Sequence, residues 1–150
     1  MKSRFCVTTR QPRISRHWEP LSVASSTDLP TLVLLHGLLG NADDWQPVIE
    51  AMPGIDCHAL DLPGHGSNKG LRVSGFDEAH EWLCGELAAR GITRYRLAGY
   101  SLGGRLALYH ASQSPAGLQA LLLENCHPGL PVAERAARLA HDEGWARRFE

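Results

Sequence analysis

Short, continuous apolar runs alternate along this 150-residue chain with segments whose apolar residues recur at helical spacing. Runs of this kind are typical of strands that are buried on both faces of a parallel sheet. Strands that alternate with helices predict right-handed βαβ units, with helices on the two faces of the sheet. The sequence therefore predicts an α/β fold, with strands at Thr31–His36, Cys57–Leu62, Arg94–Gly99 and Leu118–Glu124.

The segments between these strands predict the helices. Residues 41–52 form a short helical segment, and residues 102–112 form a helix after the third strand. Ser74 and Asp77 resemble a capping box, so we expect a helix from there to about Gly91. Residues 132–149 predict a charged helical segment that is interrupted near Gly144.

The composition indicates a globular chain of balanced charge. Hydrophobic residues make up 43% of the chain, and the net charge of −1 gives no reason to expect a nucleic-acid partner. No apolar run approaches the roughly 18 to 20 residues that span a membrane. The cysteines form no CxxC pair, and without a recognisable secretion signal they favour reduced thiols in a cytoplasmic protein. They are Cys6, Cys57, Cys84 and Cys126.

The strongest chemical signal is a G-x-S-x-G pentapeptide, Gly99 to Gly103, between a predicted strand and a predicted helix. A serine at such a turn adopts a strained backbone conformation that exposes its hydroxyl above the sheet. The glycines two residues before and after it are expected to crowd each other and so to exclude side chains. Ser101 is therefore predicted to be a nucleophile or base at the start of a helix.

A second loop, His36-Gly37-Leu38, follows the first predicted strand. Folds with a serine elbow place an oxyanion hole there, built from backbone N–H groups. We expect the donors to be the N–H groups of Leu38 and Leu102. His36 is interpreted as a residue that shapes the loop, without a catalytic role of its own.

Four motifs together resemble the α/β-hydrolase fold family: HGLLG (36–40), DLPGHG (61–66), GYSLGGR (99–105) and ENCHPGL (124–130). GYSLGGR with HPGL and a later WARRF resembles a narrower group, the 2-succinyl-6-hydroxy-2,4-cyclohexadiene-1-carboxylate synthases of menaquinone biosynthesis. The resemblance covers residues 31–150. It implies an N-terminal part of a hydrolase core at residues 28–130 and the start of a helical lid at 131–150. Residues 1–27 then form an N-terminal extension or the first strand or strands.

The resemblance also implies a reaction. Enzymes of this group eliminate pyruvate from 2-succinyl-5-enolpyruvyl-6-hydroxy-3-cyclohexene-1-carboxylate, without a cofactor or metal. Ser101 would be the base that removes a ring proton, and the oxyanion loop would stabilise the negative charge that develops. The substrate is a small polycarboxylate, so Arg105 and Arg138 are candidates to bind its carboxylates and Tyr100 to line the pocket. The oligomeric state is left open.

The chain departs from the family pattern in one respect. The triad order is Ser, Asp, His, but the chain ends at Glu150, before the loops that carry the last two. His127 is the one histidine considered as a stand-in. The fourth strand would also present an apolar edge, and we therefore expect a truncated member of the family. A serine acyl hydrolase and an inactive fragment are the two alternatives.

One further pair of residues has the spacing of metal ligands. His80 and Cys84 lie four residues apart on a predicted helix. Because the sequence offers only these two ligands and an apolar stripe runs nearby, the pair is interpreted as part of the core. No metal site is predicted.

Overall fold

The computed structural model describes residues 31–148, which fold around a four-stranded parallel sheet. The strand order is β2-β1-β3-β4. The predicted α/β architecture is thus confirmed, whereas the expected extension at residues 1–27 lies outside the described residues. The strands are β1 (Thr31–Leu35), β2 (Asp56–Leu60), β3 (Tyr95–Tyr100) and β4 (Leu118–Glu124).

Helices follow each strand. A 3-10 turn at Ala42–Trp45 leads into the short α1 (Gln46–Glu50), and a second 3-10 turn spans Gly66–Asn68. None of the helices in residues 31–148 combines the length and apolar character that a bilayer crossing requires. The longer helices are α2 (Phe76–Ala89), α3 (Leu102–Ser112) and α4 (Val132–Ala146).

Two helix predictions need correction. The N-cap of α2 is Gly75 and not Ser74, whose backbone N–H instead donates to Glu78 Oε2 at 2.7 Å. The first helical turn is thus stabilised by a carboxylate that reaches back from within the helix. Helix α4 also runs through Gly144 without interruption. A single glycine costs a helix only about 1 kcal/mol, which does not suffice to end it.

The two faces of the sheet carry separate apolar layers. Helices α2 and α3 cover one face, where Leu83 and Leu106 pack against Val33, Leu35 and Leu97. The apolar layer on the other face is smaller, and there Trp45 packs against Leu34 and Ala98. Helix α1 lies on the opposite face from α2 and α3, because the chain moves outward from β1 to β2 and then crosses back to β3.

The change in direction of the chain between β1 and β3 determines where a binding crevice can form. Because β1 and β3 are neighbours and their connections leave in opposite directions, a crevice forms at their carboxyl ends. The loops that begin at His36 and Tyr100 border that crevice. On the far side, β4 is an edge strand of the described sheet, and Leu122 on it is 61% exposed. The predicted apolar edge is therefore present.

Candidate active site

Ser101 lies at a sharp turn between β3 and α3. Its φ and ψ of 50° and −108° lie in a region that residues other than glycine rarely adopt. Its N–H donates to Glu124 O at 3.0 Å, and its carbonyl accepts from Arg105 N–H at 3.0 Å. The turn is thus tied to the end of β4 on one side and to the first turn of α3 on the other. The strained strand-to-helix turn that the pentapeptide predicts is present.

The glycines of the pentapeptide permit this turn for two different reasons. A Cβ on Gly99 would lie 2.5 Å from Gly103 O and 2.6 Å from Gly104 Cα, which confirms the expected crowding at position 99. A Cβ on Gly103 would instead meet Leu35 O at 2.4 Å and His36 O at 2.5 Å. The nearest atoms to position 103 were not part of the prediction: α3 starts against the end of β1, and that contact excludes a side chain there.

The loop after β1 lies directly beside the serine turn. A Cβ on Gly37 would be 2.8 Å from Tyr100 Cδ1 and 3.5 Å from Ser101 Cβ. Gly103 N–H also donates to His36 O at 3.0 Å, which holds the loop against the start of α3. Within residues 31–148, neither Leu38 N–H nor Leu102 N–H donates a hydrogen bond to another protein group. Two backbone donors therefore remain available at the crevice, as an oxyanion hole requires.

The buried side chain of His36 holds the loop after β1 in place through two hydrogen bonds. It is 1% exposed, and its Nε2 accepts a hydrogen bond from Leu62 N–H at 3.0 Å. The ring proton must therefore sit on Nδ1, from which it donates to Gly37 O at 2.7 Å. Burial lowers the pKa of His36, because the charged imidazolium would lose its hydration there. The side chain thus shapes the loop, as its place in the sequence indicates.

We expect His36 to make the fold less stable in mild acid. Its pKa is lowered in the folded state, so the unfolded chain binds the proton more readily. This contribution to the free energy of unfolding is complete above pH 6.5, the ordinary imidazole value, and is lost as the pH falls below it. The slope is at most about 1.4 kcal/mol per pH unit.

The measurement is urea unfolding between pH 7.5 and 5, for the wild type and for His36→Asn, which keeps a polar side chain but does not titrate. The difference between the two curves isolates His36 from the other buried histidine, His110. Parallel curves over this range would contradict the prediction.

The loop after β2 also holds the loop after β1 in place, through hydrogen bonds that the sequence pattern does not predict. Asp61 Oδ1 accepts from Ala42 N–H at 2.8 Å, and its Oδ2 accepts from Ser67 N–H at 2.8 Å. These N–H groups, Ser67 first, lower the pKa of Asp61. His65 Nε2 accepts from Leu39 N–H at 3.3 Å. The DLPGHG motif contains both Asp61 and His65. Its position after a strand, at the same sheet edge as Ser101, indicates that these polar residues lie near the site.

A basic cleft opens between the start of α3 and α4. Its volume is about 300 Å³, and it brings Arg105 and Arg138, both predicted to bind substrate, together with Arg135. Arg105 is exposed, and its guanidinium carbon lies 5.5 Å from the centre of the Phe76 ring. Arg138 Nε donates to both carboxylate oxygens of Asp142 at 2.8 Å. The remaining lining residues are His127, Gly129, Leu130, Leu139 and Asp142.

This cleft carries net positive charge, because three guanidinium groups face one carboxylate. Arg135 was not selected from the sequence, although its Nε donates to Leu130 O at 3.0 Å and so fixes its side chain at the rim. The three-residue spacing between Arg135 and Arg138 indicates that both lie on the same side of α4, on neighbouring turns. The cleft has the charge of a binding site for a small anion.

Tyr100 borders the serine turn on its exposed side. The side chain is 41% exposed, its ring lies against Gly37, and its hydroxyl accepts from Asn125 Nδ2 at 3.3 Å. This contact links the ends of β3 and β4. The position is compatible with the lining role that was expected for Tyr100.

The hydroxyl of Ser101 makes no hydrogen bond to any side chain of the described residues. His127, the stand-in considered from the sequence, instead contacts Gly129 O at 3.1 Å and accepts from Gly129 N–H at 3.2 Å, both through Nδ1. The structure thus brings the serine turn together with two free N–H donors. The basic cleft opens farther along α3, at Arg105, and Ser101 is not among the residues that line it. The structure does not bring a histidine to the serine within residues 31–148.

Comparisons with known proteins agree with this geometry. Residues 30–149 match the family model described as the alpha/beta hydrolase fold. The chain is 46% identical over 124 residues to a 2-succinyl-6-hydroxy-2,4-cyclohexadiene-1-carboxylate synthase of Serratia proteamaculans, a match that covers 81% of this chain and 49% of that protein. A protein of the same name from Yersinia pestis is 49% identical over 122 residues, covering 80% and 45%.

Among solved structures, MenH from S. aureus superposes with a TM-score of 0.68 at 30% sequence identity. That superposition covers 84% of this chain and 48% of the other. The chain spans about half the length of the curated relatives it matches.

Proposed function

The chain belongs to the α/β-hydrolase fold family, and from this premise we propose that it carries the serine half of a lyase active site. The proposed reaction is the elimination of pyruvate from 2-succinyl-5-enolpyruvyl-6-hydroxy-3-cyclohexene-1-carboxylate. The observation that carries the proposal is the turn at Ser101, where the strained serine lies beside two backbone N–H groups without partners. The similarity to synthases of that name at 45–49% identity supports this reaction over others on the same fold.

In the proposed mechanism, Ser101 acts as the base. Its oxygen takes a proton from a ring carbon, and the electrons of the broken C–H bond form the new ring C=C bond. The C–O bond to the enolpyruvyl group breaks, and the departing enolate takes up a proton to become pyruvate. The N–H groups of Leu38 and Leu102 would stabilise the negative charge that develops during this step. The histidine and aspartate that would activate Ser101 are not among the described residues.

The basic cleft supports a substrate with several carboxylates. Arg105 lies one helical turn after Ser101 and lines this cleft together with Arg138. The planar guanidinium matches a carboxylate bidentately, so two arginines would orient two carboxylates of one small molecule. Tyr100 would border the ring of the substrate. Asp142 forms an ion pair with Arg138 in the free protein. A substrate carboxylate that binds Arg138 would displace Asp142 or bind the same guanidinium beside it.

The remaining parts of the proposal concern partners and location. We propose no cofactor and no nucleic-acid partner, since the proposed elimination needs only a base and hydrogen-bond donors. The thiols of Cys57, Cys84 and Cys126 are free, which supports a reducing, cytoplasmic location.

A chimera provides the test. Residues 31–148 replace the matching segment of the Serratia proteamaculans synthase, which supplies the rest of that protein's length. We expect the purified chimera to release pyruvate from the enolpyruvyl substrate, as detected by a coupled dehydrogenase assay. A chimera that melts cooperatively but releases no pyruvate would overturn the proposal.

The serine acyl hydrolase alternative predicts a different product. An acyl hydrolase forms a covalent ester on Ser101, so an activated ester would leave a labelled serine that mass spectrometry locates. The lyase forms no such intermediate with its substrate. Stoichiometric labelling with turnover of esters, and no pyruvate, would favour the hydrolase.

A further inference from the structure

Three side chains with metal-ligand chemistry meet between α2 and α3. His80 and Cys84 lie on successive turns of α2, and His110 lies near the end of α3. One ligand atom from each of the three lies within 4.8 Å of the others. The third residue was not apparent from the sequence because it comes from another helix, 30 residues after His80. The prediction that His80 and Cys84 belong to the core is wrong for Cys84, which is exposed, and His80 is only half-buried.

Neighbouring side chains in this cluster lie at separations near those of metal ligands, although the two contacts use different nitrogens of His80. His80 Nε2 and Cys84 Sγ are 3.6 Å apart, and His80 Nδ1 and His110 Nδ1 are 3.0 Å apart. Tetrahedral zinc, with Zn–N of about 2.0–2.1 Å and Zn–S of about 2.3 Å, separates its ligand atoms by roughly 3.3–3.6 Å. One ion takes a single nitrogen from His80, so the ring must turn on binding. His80 is half-buried and Cys84 is exposed, so both have room to adjust.

A phenol fixes the orientation of the buried imidazole. His110 is fully buried, and its Nε2 is hydrogen-bonded to the hydroxyl of Tyr95. The other ring nitrogen, Nδ1, therefore faces His80 and Cys84. A metal-binding histidine usually makes such a hydrogen bond through its second nitrogen, and the bond sets the tautomer and the direction of the lone pair.

We propose that His80, Cys84 and His110 form a site for a zinc-class divalent cation that links α2 to α3. Imidazole and thiolate are the ligands that zinc prefers, and the exposure of Cys84 leaves the fourth position to solvent. The site is separate from Ser101. His110 follows that residue by nine positions on α3, which corresponds to about 13 Å along the helix. The bound ion would therefore hold two helices together and take no part in the chemistry at Ser101.

The test measures metal binding by the full chain. The chain is freed of metal with a chelator and then titrated with Zn²⁺ against a chromophoric chelator, and with Co²⁺ followed by absorption. We expect one equivalent to bind and a thiolate-to-cobalt charge-transfer band to appear. We expect His80→Ala and Cys84→Ser to weaken Zn²⁺ binding by about 100-fold or more, since even partners outside the first ligand shell contribute 10- to 100-fold. Tyr95→Phe should weaken it by about 10- to 100-fold while retaining the charge-transfer band.

Two control variants lie outside the cluster. Cys57→Ser removes another free thiol on β2, and His141→Ala removes an exposed imidazole on α4. Both should bind Zn²⁺ like the wild type. Zn²⁺ should also raise the melting temperature of the wild type but not of Cys84→Ser. The proposal is overturned if the wild type binds no stoichiometric Zn²⁺, or if Cys84→Ser, folded by the same melting assay, binds it with unchanged affinity and cobalt spectrum.

Discussion

Replacing Ser101 with alanine in the chimera is expected to lower kcat for pyruvate release by about 10²–10⁴-fold. The estimate is the usual contribution of a positioned base to proton transfer, and Ser101 is the base of the proposed mechanism. The hydroxyl makes no hydrogen bond to the described residues, so its removal should leave the fold intact. The strained φ of 50° is held by backbone hydrogen bonds that alanine keeps. Steady-state kinetics with an equal melting temperature for both proteins would test this.

Arg105→Gln is the matched control for that variant. It lies one helical turn after Ser101 and is exposed, so it should also leave the fold intact. Because Arg105 is proposed to bind a carboxylate and not to move a proton, its loss should chiefly raise KM. The two variants thus separate chemistry from binding. A Ser101→Ala chimera that retains kcat, with or without an effect of Arg105→Gln, would remove Ser101 from the mechanism.

The fold of the described chain was largely predictable because its elements repeat a simple pattern. The bounds of α3 and β4 match the predicted segments, since each segment begins and ends at a turn. The start of α2 was misplaced by one residue because Ser74 resembles a cap in sequence, whereas Glu78 reaches back to its N–H. Cap identity depends on which side chain reaches the free N–H, and residue type alone does not decide that.

The site was predictable only in part, for a related reason. Ser101 and the glycine at position 99 follow from local backbone geometry, which a short motif encodes. The hydrogen bonds of Asp61 and the meeting of His110 with His80 join residues far apart in the chain. Such pairings depend on how the loops and helices pack in three dimensions. The spacing of residues along a single chain does not report such contacts.

Gly99 is the position where a single methyl group should cost the fold most. We expect Gly99→Ala to lower the free energy of unfolding by about 3 kcal/mol or more, because the new Cβ would lie 2.5–2.6 Å from backbone atoms of residues 103 and 104. These atoms begin α3 and have no rotamers through which to move away. Relief would require α3 to shift from β3, and the Ser101 turn would shift with it. Urea unfolding monitored by circular dichroism measures the loss.

For Gly85→Ala we expect the opposite effect on the free energy of unfolding, although the substitution is the same. Gly85 lies inside α2, and a Cβ there would meet nothing within 4 Å. Alanine should therefore stabilise the fold by about 0.5–1 kcal/mol, through the lower backbone entropy of the unfolded chain and better helix propensity. The two variants add the same methyl group, in one case against backbone atoms and in the other into open space. If Gly99→Ala unfolds at the same urea concentration as Gly85→Ala, the close approach of β3 to α3 does not exist, and the geometry proposed for Ser101 loses its basis.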